Sequence, residues 1–237
     1  VGCVALCNYR CLLLKGDGME IDMMKEPDVM VYLMTGFLDS GKTQFLNFTL
    51  SQDYFQIDGK TLLILCEEGE EEYDPRELLK YGVVIETVED KEDLTEEWLE
   101  EMNKKHKPER VVIEYNGMWQ VSEFEKMKLP AGWAIEQKIT TVDASTFQMY
   151  LTNLKPLFVE MVKGAELVLF NRCEDKKPLA GYRRSVKVVS PQAEVIFEDE
   201  NGEVDNIFED EVPYDLKAPV IEIPREDYGI WYIDMQE

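Results

Sequence analysis

Basic charge and histidine are what this chain has least of. Its 237 residues hold 25 Lys and Arg against 49 Asp and Glu, a net charge of −24, and His106 is the only histidine. That balance repels nucleic acid and anionic membrane surfaces, and it suits metal cations or basic partners. Long apolar runs are missing too: none reaches the about 20 residues that a membrane-spanning helix needs, so neither nucleic acid nor a membrane is an expected partner. Cysteine is sparse and badly spaced for disulfides. Cys3, Cys7 and Cys11 crowd near the start, while Cys66 and Cys173 stand alone. A reducing, cytoplasmic setting is the expectation. There is no internal repeat.

What is present is 45% hydrophobic residues, enough for the core of one large α/β domain. From residue 28 strand and helix signals alternate, the pattern of a mostly parallel sheet with helices on both faces. Strands are expected at 29–35, 61–66, 82–88, 110–117, 133–144, 165–174 and 193–199. Several are continuous apolar runs, as in strands covered on both sides. A helix is expected over 95–107, because Thr95 can cap it, acids open it, lysines close it and Pro108 stops it. Another is expected around 176–187. Residues 1–27 read as a leader outside the working domain, 28–210 as that domain, and 211–237 as the start of a second module cut short. The acidic runs, such as CEEGEEEYD and FEDENGEVDNIFEDE, read first as solvated loops and helix faces.

One stretch carries chemistry by itself. GFLDSGKTQFLN (36–47) fits G-x-x-x-x-G-K-[ST], with an apolar strand before it and helical spacing after it. Glycines let successive backbone N–H groups face one hollow, and the helix N-terminus adds its positive dipole end there. A nucleotide's phosphates are expected along Gly36, Asp39, Ser40, Gly41, Lys42, Thr43 and Gln44. Lys42, on a solvent-facing loop, would reach the β- and γ-phosphates, and the Thr43 hydroxyl would take a position on Mg²⁺. Asp39 can leave its backbone N–H to the phosphates if its carboxylate points away from them.

Other strand ends must supply the partners, since ligands in open α/β sheets bind at the carboxyl ends of strands. CEEGEEEYD (66–74) sits where a nucleotide-sensing loop should lie. In VVIEYNG, Glu114 can hold Mg²⁺ through water and the Gly117 N–H can approach a γ-phosphate. In LVLFNRCE, Asn171 and Glu174 can read a purine base.

These motifs, in this order, resemble the CobW/HypB/UreG family of P-loop GTPases, and within it the CobW-like branch. The family's GFLGAGKTTLLN is similar to GFLDSGKTQFLN, its NEFGE loop to CEEGE, its E-x-x-G to Glu114–Gly117, its VDA to Val142–Ala144 and its NKxD to NRCE. The resemblance implies GTP as ligand, Mg²⁺ as cofactor, slow hydrolysis and a role in metal homeostasis or metallocofactor assembly. It also implies catalytic roles for Lys42 and Glu114, Glu70 as a further metal ligand, and Arg172 stacked over a base that Glu174 pairs with.

There are departures. The family's CxCC metal motif would fall in VVIETVEDKEDLTEEW, which has no cysteine. Zn²⁺ or another transition metal would then depend on Cys66 or Cys173. Glutamate in NRCE is one methylene longer than the family's aspartate, which leaves ATP open beside GTP. A nucleotide-gated interaction protein with little hydrolysis is the alternative function. A protein client or metal-handling partner and a homodimer also remain open.

Overall fold

The computed structural model describes residues 27–67, 69 and 72–204. Most of the leader, Glu70 and the stretch read as a second module lie outside them. Seven strands pair in parallel: β1 (Val29–Thr35), β2 (Thr61–Leu65), β3 (Val83–Thr87), β4 (Arg110–Glu114), β5 (Trp133–Asp143), β6 (Leu167–Asn171) and β7 (Glu194–Asp199). The two-residue strand β8 (Gly202–Glu203) adds to β7 antiparallel. The order across the sheet is β3-β2-β4-β1-β5-β6-β7-β8. Leu62, Leu63, Ile64 and Val111, Val112, Ile113 are completely buried, as continuous apolar runs in a two-sided sheet must be.

The helices are α1 (Lys42–Leu50), α2 (Pro75–Leu79), α3 (Glu96–His106), α4 (Val121–Phe124), α5 (Phe147–Asn153), α6 (Lys155–Val162) and α7 (Leu179–Val189). Helix α3 forms for the reasons its sequence suggests. The Thr95 hydroxyl accepts from Trp98 N at 3.1 Å, Glu96 and Glu97 open the helix, and Lys104, Lys105 and His106 close it. Helix α7 buries Leu179, Tyr182 and Val186, one face at helical spacing. It starts a little later than expected, because Pro178 stands at its cap. Phe147 meets Phe158, Phe170 and Tyr182 edge-on, and Phe170 stacks on Phe197 at 4.9 Å, which ties α5, α6 and α7 to β6 and β7. Such ring pairs each contribute about 0.5–1.5 kcal/mol beyond the area they bury.

Three small elements were not anticipated. Helix α2 is short, and it starts where Asp74 accepts from Arg76 N and Glu77 N ahead of Pro75. Helix α4 has four residues, and the β7–β8 hairpin lies inside a run that reads as a solvated acidic loop.

Topology decides where a ligand can sit. β1 lies between β4 and β5; the chain leaves β1 toward β2 on one side, and β5 continues to β6 and β7 on the other. Register brings the strand ends level: Met34 and Leu65 both pair with Glu114, and Asp143 pairs with Asn171. The loops after β1, β2, β4 and β6 therefore open onto one crevice, the position expected of a ligand site in such a sheet.

Candidate nucleotide-binding site

The loop between β1 and α1 is held from three sides. Gly36, at φ 145°, has no room for a side chain: a Cβ there would lie 2.5 Å from Thr141 O. Ser40 is buried and its hydroxyl meets that of Thr141 at 2.9 Å. From the end of β6, Asn171 Nδ2 donates to Ser40 O at 2.8 Å and Arg172 Nη1 donates to Asp39 O at 3.0 Å. Gly41, left-handed at φ 88°, then starts α1. Asp39 is also left-handed at φ 58°, a conformation aspartate tolerates better than most residues. It is exposed, so the acid in the middle of the loop need not face the phosphates.

Lys42 differs from its expected solvent-facing position. It is 3% exposed, and its Nζ donates to Gly36 O and Phe37 O, each at 2.9 Å. It also forms an ion pair with Glu67, at 2.5 Å. The other oxygen of Glu67 accepts from Gly117 N at 3.2 Å. Gly117 passes so close to the loop that a Cβ would lie 2.4 Å from Gly36 O. Beside this cluster, Glu114 accepts from the Thr43 hydroxyl at 2.8 Å and from the Tyr73 hydroxyl. Burial pushes the Glu114 carboxyl up from its ordinary value, against the bonds from Tyr73 and Thr43 and the nearby Lys42 charge. A buried, hydrogen-bonded carboxylate next to a hydroxyl suits a hard cation, which compensates the charge that burial disfavours.

Two cavities adjoin here. A hollow of about 100 Å³ is lined by Asp39, Gly41, Lys42, Thr43, Gln44, Glu67, Glu114 and Arg172 among others. A larger one of about 370 Å³ shares Gly41 and Gln44 with it and runs between the Phe45, Phe48 and Tyr54 rings and residues 198–202. Asn171 lines the larger cavity, and its Oδ1 is buried without a hydrogen-bond partner among the described residues.

The expected base-reading trio is thus divided. Asn171 is at the cavity. Arg172 borders the smaller hollow, paired with Asp143 at 2.5 Å, and does not line the larger cavity. Burial works against the Asp143 charge, yet Ser145 and the Arg172 guanidinium hold its carboxyl below the usual range. Glu174 is exposed and lines neither cavity. Three residues that sequence reading assigned to a solvated run, Glu198, Asp199 and Glu200, line the larger one.

The model of the CobW/HypB/UreG nucleotide-binding domain matches residues 30–197. The chain belongs to this family. No curated protein matches it in sequence. Among solved structures, it is similar to the hydrogenase maturation factor HypB from Archaeoglobus fulgidus, at 17% identity and TM-score 0.54, over 73% of this chain and 83% of that one. It is also similar to the Zn(II)-bound YjiA GTPase from E. coli, at 23% identity and TM-score 0.54, over 75% of this chain but 59% of that one. At these identities the likeness concerns the fold, a P-loop NTPase fold.

Within the family frame, the interval that lacks CxCC runs from β3 into α3 and carries Glu89, Glu92, Asp93, Glu97 and Glu101 around a groove. Among the described residues, no three or more His, Cys, Asp or Glu side chains form a metal cluster. Burial pushes the Cys173 thiol up to about 12 and the Cys66 thiol higher, and the thiolate is the form that binds a soft metal. His106 pairs with Glu86 at 2.6 Å.

Proposed function

We propose that this domain binds GTP with Mg²⁺, hydrolyses it slowly and uses the cycle in metal homeostasis or metallocofactor assembly. The observation that carries this reading is the convergence of Lys42, Thr43 and Glu114 on one hollow, which opens beside a cavity large enough for a nucleoside. Lys42 neutralises the β- and γ-phosphates, and the backbone N–H groups from Ser40 to Thr43 cradle them. Thr43 and Glu114, with Glu70 as a further candidate, would hold Mg²⁺, which when bound neutralises charge building on the phosphate oxygens. The nucleoside lies against Phe45, Phe48 and Tyr54, with Asn171 beside it in the cavity lining. Glu174 is proposed as the acid that reads guanine, with Glu198 and Asp199 as its rivals.

Hydrolysis adds water to the γ-phosphorus and breaks the β–γ bridge, giving GDP and phosphate. The metal role is supported by relatives named for hydrogenase maturation and for bound Zn(II). A second reading, a nucleotide-gated interaction protein with negligible turnover, is favoured by the cysteine-free β3–α3 interval. A single-turnover assay with Mg²⁺, with and without Zn²⁺, separates the two. Release of phosphate supports the enzyme, and tight binding without release supports the gate.

A further inference from the structure

The phosphate hollow contains a carboxylate that a nucleotide could not share it with. Glu67 follows β2 with its side chain 9% exposed, one oxygen 2.5 Å from Lys42 Nζ and the other 3.2 Å from Gly117 N. The lysine of a G-K-[ST] loop and the backbone N–H beyond the acidic strand are the two donors such a site directs at a γ-phosphate. A two-oxygen anion already satisfies both. Tyr73, on the same connection between β2 and α2, does the matching thing next door, where its hydroxyl donates to Glu114. One segment thus places an anion at the γ-phosphate position and a donor on the carboxylate that a cation would use.

We infer that Glu67 is an internal surrogate for the γ-phosphate and makes the site discriminate between triphosphate and diphosphate. The inference rests on the nucleotide reading of the site. A triphosphate seats only by expelling the Glu67 carboxylate from Lys42 and Gly117, because two anions cannot both occupy those donors. A diphosphate ends short of that position and leaves Glu67 in place. The exchange is of one anion for another, with no bond made or broken. The strength of the Lys42–Glu67 contact is subtracted from triphosphate affinity, since a binding-competent state must first be populated. Departure of Glu67 is also the event that reports a γ-phosphate to the β2–α2 connection.

Glu67→Gln keeps the shape and removes the charge. Calorimetry with Mg²⁺ and either GDP or a non-hydrolysable GTP analogue reads the effect. Binding of the analogue should tighten by about tenfold or more, and of GDP by less than about threefold, so the ratio of the two dissociation constants moves. Glu67→Asp, too short to span both donors, should move the ratio in the same direction and carries the test if the glutamine variant does not fold. Equal changes for both ligands, or weaker analogue binding, overturn the surrogate while leaving the nucleotide reading intact. Failure of both ligands to bind the wild-type chain overturns both readings.

Discussion

Replacing Gly117 with alanine should push the proposed phosphate loop out of position. The added Cβ would lie 2.4 Å from Gly36 O, 2.8 Å from Phe37 Cα and 3.1 Å from Phe37 C, all of them backbone atoms. Side-chain Cβ atoms essentially never come within 3.0 Å of such neighbours, so the two segments must separate by about 0.6 Å, the gap between 2.4 and 3.0 Å. Overpacking of this kind costs roughly 1–3 kcal/mol. At about 2–4 °C per kcal/mol for a chain of this size, the melting temperature should drop by roughly 2–12 °C. The functional cost is larger in proportion. Catalytic groups misplaced by about 1 Å lose on the order of a hundredfold, so a shift of over half that should cost about tenfold in turnover and in nucleotide affinity. Gly164→Ala is the control. Gly164 sits at φ 73° with nothing within 4 Å of its Cβ position, so alanine there costs about 1 kcal/mol of left-handed strain and leaves the nucleotide alone. Thermal melts and calorimetry with a GTP analogue measure both variants. Wild-type nucleotide affinity in Gly117→Ala would refute the close approach of the two segments.

Glu114→Gln should lower turnover by more than about tenfold, the effect of roughly 1.4 kcal/mol on the barrier, while nucleotide binding survives; equal turnover would make Glu114 structural. The same variant should melt higher than the wild type at neutral pH. Burial raises the Glu114 pKa in the folded state, so the folded chain binds the extra proton, and stability falls as pH rises through the range above the ordinary 4.5. Melts taken at descending pH should show the difference closing. Glu174→Ala should collapse any preference for GTP over ATP with a smaller loss of triphosphate affinity, measured by competition among GTP, ATP and inosine triphosphate. An unchanged preference would pass base reading to the acids at 198–200.

The parts legible in the sequence were those set by local pattern. β1, β2 and β4 are continuous apolar runs, and a strand buried on both faces cannot be written otherwise. The glycine-rich loop between β1 and α1 is legible because its spacing is dictated by backbone geometry, down to an exposed Asp39. What the sequence hid depends on distant pairing. Lys42 reads as a solvent-facing cation, yet it is buried because Glu67 and two carbonyls satisfy it, and nothing local joins residues 42 and 67. The acids at 198–200 look like a solvated run until the β7–β8 turn folds them against α1. Arg172 matches a base-stacking position in its motif, but Asp143, level with Asn171 across β5 and β6, takes its guanidinium first.

The hollow beside Lys42 is proposed to hold the phosphates of GTP. Lys42→Ala combined with Glu67→Gln removes both halves of the buried pair, which avoids stranding one charge in the interior. Titration of Mg²⁺ and GTP into the wild-type chain and this double variant, each checked for a cooperative melt, is the most direct test. Saturable binding of one GTP per chain is expected in the wild type, and none detectable in the folded double variant. Equal GTP affinity in the two proteins, or no binding by the wild type, would contradict that proposal.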